Sequence, residues 1–345
     1  MKAKFIYLGV ALAFLSLTSC NFKPKVAAAK KIEVNEFFGQ WTIDIKGGSV
    51  GWLEVRQEKG YIDADLLWGG GSVVPVANVY LHNNSLIVER GDKVIRTKNE
   101  KNEALRSHQV TNWLEVKRQG DKIVGYIYNP HRDGTGVDST AFSGTKLPAP
   151  PPAPDLSKVK FGTPITLFNG KDLSGWKLIN DKQKNGFSVS NGLLSNDPVQ
   201  VEGAHVSYGN LRTEQEFEDF NLKLEVNVPA GSNSGVYLRG MYEVQVVDSY
   251  KHELDPHNMG AVYSRITPTS AAEKPAGEWQ SMDITLCDRH ATVILNGVKI
   301  IDNQPIFGPT GGAMKSDVFT PGPIYLQGDH GKVSYRNLVL TPIVK

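Results

Sequence analysis

The stretch Tyr242-Glu243-Val244-Gln245-Val246-Val247-Asp248-Ser249 sets two carboxyls and an amide among apolar residues, a pattern that can serve chemistry on a hydroxyl-rich ligand. Read as a β-strand, whose side chains alternate between faces, it sends Glu243 and Gln245 one way and Val244 and Val246 toward a core. The same alternation turns Val236 and Leu238 inward and leaves Tyr237 and Arg239 outward. Ile324 and Leu326 likewise point inward, with Tyr325 and Gln327 outward. If these strands are neighbours, one face carries Tyr237, Arg239, Glu243, Gln245 and Gln327. A cation, an anion, two amides and an aromatic ring suit sugar hydroxyls. The plainer alternative is a solvated face on which Arg239 and Glu243 pair as surface ions.

Glu243, Gln245 and Asp248 also have the i, i+2, i+5 spacing of the acidic motif in jelly-roll retaining glycosidases. Such enzymes need two carboxyls about 5–5.5 Å apart on one side of the sugar. The amide at 245, and an Asp248 that alternation sends to the opposite face, speak against a double-carboxylate mechanism. His252-Glu253-Leu254-Asp255-Pro256-His257 offers four potential metal ligands, but Pro256 implies a loop in which polar residues are simply solvated. Lys274 and Glu278 bracket Pro275 and Gly277 and either line a cleft or make a turn. Trp176 and Trp279 are expected in the core, and His205 and His290 in structural roles.

The elements that must position these residues are short strands. Phe220 to Val228, Gly235 to Leu238, Tyr242 to Val247, Trp279 to Leu286, Ala291 to Leu295 and Val333 to Leu340 follow one another with turn signals between them, suiting a two-sheet jelly roll. Asn296-Gly297 predicts a tight hairpin. Pro148-Ala149-Pro150-Pro151-Pro152-Ala153-Pro154 favours an extended spacer, so residues 148–156 divide a β-rich domain at 33–147 from a sandwich at 157–345. In the first domain Trp52-Leu53-Glu54-Val55 is echoed by Trp113-Leu114-Glu115-Val116, which predicts two similar hairpins. Arg90-Gly91-Asp92 reads as a hairpin turn.

The 345 residues carry 38 Lys plus Arg against 36 Asp plus Glu, and this near-neutral balance excludes a nucleic-acid partner bound through phosphate neutralisation. Two Cys residues do not make a bridge. Lys2, Lys4, the apolar run from Phe5 to Leu17 and Leu17-Thr18-Ser19-Cys20 predict a lipoprotein signal peptide at 1–19, lipidation of Cys20 and a tether over 20–32. Asn21 after the lipidated residue points to an outer-membrane lipoprotein facing the periplasm, anchored in the membrane by its lipid. Cys287 then reads as a small core residue.

Six separated motifs carry a resemblance. Phe168-Asn169-Gly170-Lys171-Asp172-Leu173-Ser174-Gly175-Trp176, Asn233 to Gly240, Tyr242 to Ser249, Gly260-Ala261-Val262-Tyr263, Lys274 to Trp279 and Gly322 to Gly331 occur in the order expected of one domain. Together they resemble the 3-keto-disaccharide hydrolase family, also described as 3-keto-glucoside 1,2-lyase and 3-keto-2-hydroxyglucal hydratase. The resemblance implies a concanavalin-like or laminin-G-like β-sandwich in an all-β chain, preceded by a smaller antiparallel β domain. It implies an enzyme that cleaves 3-keto-glycosides by elimination and hydration, the ketone being made by a separate sugar oxidoreductase. Under it, Glu243 is expected as base or metal ligand, Arg239 or a divalent metal as the enolate stabiliser, and His330 or Asp329 as the leaving-group partner. Tyr237, Gln245, Gln327, Lys274 and Glu278 are expected to bind substrate. Two other readings are a carbohydrate-binding lipoprotein without catalysis and a conventional glycosidase.

Overall fold

Alternating apolar residues are buried in step along the strands, as in Phe220–Asn227, where Phe220, Leu222, Leu224 and Val226 are buried and the residues between them are not. A computed structural model describes residues 32–201 and 206–344. The predicted signal peptide, Cys20, the tether to Lys31 and His205 lie outside the described residues. Apart from a short 3-10 turn at Val34–Phe37, every regular element among the described residues is a strand.

The N-terminal sheet contains β1 (Gly39–Ile45), β2 (Ser49–Glu58), β3 (Tyr61–Trp68), β4 (Val74–Pro75) and β5 (Asn78–His82). It continues through β6 (Ser85–Lys98), β7 (Ala104–Gln119), β8 (Lys122–Pro130) and β9 (Val137–Leu147). Its antiparallel order is β4-β3-β2-β1-β9-β8-β7-β6-β5. Between β4 and β5 the Val76 N–H donates to Ala64 O in β3 and the Ala77 N–H to Glu89 O in β6, so the sheet curls back on itself around Trp41, Leu53, Leu66, Leu86 and Leu114. The echoed segments are the hairpins β2–β3 and β7–β8. Arg90-Gly91-Asp92 is not a turn. It runs inside β6, with Gly91 opposite Thr111, because the strand pairing of β6 with β7 continues well past it.

The C-terminal part contains β10 (Lys160–Phe161), β11 (Ile165–Thr166), β12 (Trp176–Leu178), β13 (Phe187–Ser190) and β14 (Leu193–Asn196). Next come β15 (Leu211–Thr213), β16 (Phe220–Asn227), β17 (Asn233–Leu238), β18 (Tyr242–Val247) and β19 (Trp279–Cys287). Last are β20 (His290–Leu295), β21 (Val298–Pro305), β22 (Tyr325–Leu326) and β23 (Val333–Val344). One sheet runs β13-β14-β23-β16-β19-β20-β21, with β10 and β11 also on β23, and the other runs β12-β15-β22-β17-β18. Leu222, Leu224 and Ile284 of the first meet Val236, Val244 and Leu326 of the second in one core, which makes the fold a jelly-roll-like β-sandwich. The hairpin β20–β21 turns at Asn296-Gly297, both with positive φ, as a two-residue turn requires.

Residues from Glu33 onward form one compact unit. Trp52, Leu67 and Leu147 of the N-terminal sheet join the core of the sandwich. The Arg265 guanidinium sits 4.1 Å from the Trp52 ring centre. The proline-rich segment lies along the sandwich, where Arg289 donates to Pro148 O and Ala149 O and Asn303 donates to Pro154 O.

Candidate active site

Strand pairing assembles the polar row. β17 lies between β22 and β18, with Tyr237 opposite both Tyr325 and Glu243. Beyond β18 the segment 260–263 adds a further rung: Tyr263 N donates to Glu243 O at 3.0 Å, and Gln245 N to Ala261 O at 2.9 Å. Tyr325, Tyr237, Glu243 and Tyr263 therefore stand in line across one face, at the cross-strand spacing that brings side chains into contact. The Tyr237 and Tyr325 rings stack at 3.8 Å with 15° between their planes. Opposite Gln245 the strand has Gly235, where a Cβ would run into the Glu243 carboxyl.

Glu243 is 4% exposed, and burial pushes its carboxyl up to about 8, against a smaller opposing pull from the Tyr237 hydroxyl. The Tyr237 hydroxyl lies 2.8 Å from Glu243 Oε2 and 2.7 Å from Gly311 O. One phenolic proton cannot serve both acceptors. A protonated Glu243 resolves this, donating to the Tyr237 oxygen while Tyr237 donates to Gly311 O. Hydrogen bonding thus agrees with burial that the carboxyl is neutral at pH 7. Burial, and then the adjacent Glu243, also hold the Tyr237 phenol well above its ordinary range.

The row floors a cleft of about 390 Å³. Asn233, Gln245 and Gln327 bring amides to it, and Tyr208, Asp329 and His330 form a rim. Asn233 and Gln327 line the cleft, and their amide oxygens are buried without a protein partner, although buried polar atoms are as a rule paired. Asp329 accepts from Tyr208 N at 2.6 Å. Gly70 and Gly71, in the loop after β3, complete one wall, so the N-terminal sheet also shapes the cleft.

Tyr237, Glu243, Gln245, Gln327, Asp329 and His330 all line this cleft. Arg239 does not. Strand alternation ends at Leu238, and Arg239 and Gly240 take positive φ in the tight turn to β18. The side chain leaves the polar face and donates to Val318 O and Thr320 O, lining a different depression with Arg289 and Phe319. Lys274 and Glu278 also lie outside the cleft: they are exposed in the turn leading to β19 of the other sheet, where Lys274 donates to Trp279 O. Asp248 accepts from Gly231 N, also away from the cleft. Trp176 is core, His290 is buried against Asp288 O, and Cys287 is a buried thiol. Among the described residues, the one grouping of three potential metal ligands is Asp219, Cys287 and Asp288, none of which lines the cleft. Tyr263, Tyr208, Asn210 and Gln183 also line the cleft, from irregular segments where period-two alternation assigns no face. A Tyr ending the Gly260-Ala261-Val262-Tyr263 motif was the one available signal.

Residues 163–341 match a family described as the 3-keto-alpha-glucoside-1,2-lyase-like domain. Among solved structures the chain is similar to a protein of Parabacteroides distasonis described as a "putative glycosyl hydrolase", at 30% identity over 56% of this chain and 92% of the other, with a TM-score of 0.42. A second protein of that organism, described in the same words, is 22% identical over 51% of this chain and 92% of the other, with a TM-score of 0.43. The carbohydrate-binding module CBM66 from Bacillus subtilis is 13% identical over 48% and 93% respectively, with a TM-score of 0.32. No curated protein shows a significant match to the chain.

Proposed function

The chain belongs to the 3-keto-alpha-glucoside-1,2-lyase-like family, which places it among carbohydrate-acting, glycosyl-hydrolase-like enzymes, and on that premise we propose that it cleaves 3-keto-glycosides by elimination and hydration. A ketone at carbon 3 acidifies the proton on carbon 2. Glu243, once ionised, takes that proton; the electron pair forms a C1–C2 double bond, and the C1–O bond to the aglycone breaks. The aglycone oxygen takes up a proton. Water then adds its hydroxyl to C1 and returns a proton to C2, so the sum is hydrolysis of the glycosidic bond. The amides of Asn233, Gln245 and Gln327 hold the hydroxyls and polarise the ketone.

The observation that carries this reading is Glu243: a buried carboxyl tuned to about 8 beside a cleft rich in amides and tyrosines. It is the only carboxyl of the 243/245/248 motif in the cleft, so that motif does not supply the pair a conventional retaining glycosidase needs. The ketone must come from a separate sugar oxidoreductase, since the sequence has no nucleotide-binding fingerprint. The predicted lipoprotein signal peptide at 1–19, followed by Cys20, supports a periplasm-facing, lipid-anchored location at the outer membrane. The test is incubation with a 3-keto-glucoside and with its unoxidised parent. Aglycone release from the keto sugar alone is expected. Turnover of the parent would favour a conventional glycosidase, and saturable binding without release would favour a binding lipoprotein.

A further inference from the structure

The loop after β3 does more than wall the cleft. Val73 N donates to Ser264 Oγ at 2.9 Å, and this pins Ser72 beside two residues of the sandwich. Ser72 Oγ lies 2.9 Å from His257 Nε2 and donates to the Tyr263 hydroxyl at 3.4 Å. On its other side His257 Nδ1 is 3.4 Å from Asp255 Oδ1, and its ring meets the Tyr263 ring edge to face at 4.9 Å. His257 Nε2 faces Ser72 within hydrogen-bonding distance, and Asp255, whose Oδ1 accepts the His257 backbone N–H at 2.6 Å, stands beside the other ring nitrogen. A continuous set of donors then runs from the half-exposed His257, through Ser72, to Tyr263, which lines the cleft one rung from Glu243.

We propose that Tyr263 donates the proton to the departing aglycone oxygen, and that Ser72 and His257, oriented by Asp255, resupply it. Resting on the elimination reading above, this gives that reaction the proton it needs at the leaving group. The balance is closed: as the C1–O bond breaks, the Tyr263 O–H proton moves to the aglycone oxygen, the Ser72 hydroxyl proton moves to the Tyr263 oxygen, and a His257 Nε2 proton moves to Ser72. Solvent reprotonates His257. Tyr263 is the catalytic residue of the set, and Ser72 and His257 act through it. The N-terminal sheet thereby supplies one link of the sandwich's chemistry.

The experiment compares the full chain with its Tyr263→Phe and Ser72→Ala variants on 3-keto-glucosides bearing a methyl or a 4-nitrophenyl aglycone. 4-Nitrophenolate departs without a proton and methoxide does not, so a lost acid shows as a split between the two substrates. Tyr263→Phe is expected to lower kcat/KM for the methyl glycoside by about 100-fold or more and for the nitrophenyl glycoside by about threefold or less. Ser72→Ala is expected to give the same split at about tenfold. Equal losses on both substrates would overturn the inference while leaving the elimination reading intact. Should Tyr263→Phe not fold, the ratio in Ser72→Ala decides alone. A wild-type chain inert toward both keto sugars would overturn the elimination reading and this inference with it.

Discussion

Glu243 shows how one buried group ties pH to both activity and stability. Its carboxyl is held near 8, whereas an unperturbed Glu titrates near 4.5. The base form therefore accumulates only as pH rises, and kcat/KM on a 3-keto-glucoside is expected to climb about tenfold per pH unit toward a plateau above about 8. Glu243→Gln should lose about 10²- to 10⁴-fold in kcat/KM, together with that acid limb. Stability runs the opposite way. A carboxyl whose folded value is raised contributes fully below 4.5 and loses that contribution as pH rises through about 8. Gln stays neutral throughout, so the variant's melting temperature should match the wild type near pH 4, pull ahead between pH 5 and 8, and then hold a constant lead. Thermal melts across that range would show it; a constant offset would mean that the folded carboxyl is not raised. Gly235 offers a second check. A methyl group there meets the Glu243 carboxyl, so Gly235→Ala should cost about 1–3 kcal/mol of stability and shift the acid limb, read by denaturant melts and a pH–rate profile.

At the scale of strands, what the sequence made legible and what it hid share one cause. Period-two alternation is reliable inside a paired strand, so Tyr237, Glu243, Gln245 and Gln327 were placed on one face before any pairing was known. It fails once the chain turns. Arg239 follows Leu238 by one residue, yet a positive φ sends it to the carbonyls of Val318 and Thr320. Lys274 and Glu278 were undecided between cleft and turn for the same reason: a Pro-Gly loop carries no face. The rung at 260–263 was hidden because its pairing to β18 rests on isolated contacts too brief to leave an alternating pattern. Arg239 accordingly has a structural task. Arg239→Ala should leave two carbonyls without their donor and lower stability by about 1–3 kcal/mol, while the acid limb of the pH–rate profile stays in place. An abolished limb with unchanged stability would instead return Arg239 to the chemistry.

Across the whole molecule, the proline-rich stretch marked where the first sheet ends, but composition could not show that the two β regions would share a core. That contact depends on shape as much as on hydrophobicity. Trp52 is 2% exposed, with Gly308 against its indole and Arg265 over its ring. Only a residue without a Cβ fits at 308, since any side chain there would enter the indole. Arg265 in turn donates to Pro309 O, and burial pulls its guanidinium down to about 9, which still leaves it charged at neutral pH. The Trp52 face both covers this cation and fixes the segment leading to Gly311, whose carbonyl meets the Tyr237 hydroxyl. Trp52→Ala should therefore cost about 3–5 kcal/mol, the cost of truncating a buried Trp. It should also raise KM for the keto sugar, although Trp52 does not line the cleft. Denaturant unfolding followed by tryptophan fluorescence and by activity separates the cases. Loss of activity at lower denaturant than in the wild type, with both signals moving together, would show that the sheet and the sandwich stand or fall as one unit. Activity that outlasts unfolding of the first sheet would show that the cleft keeps its shape without that wall.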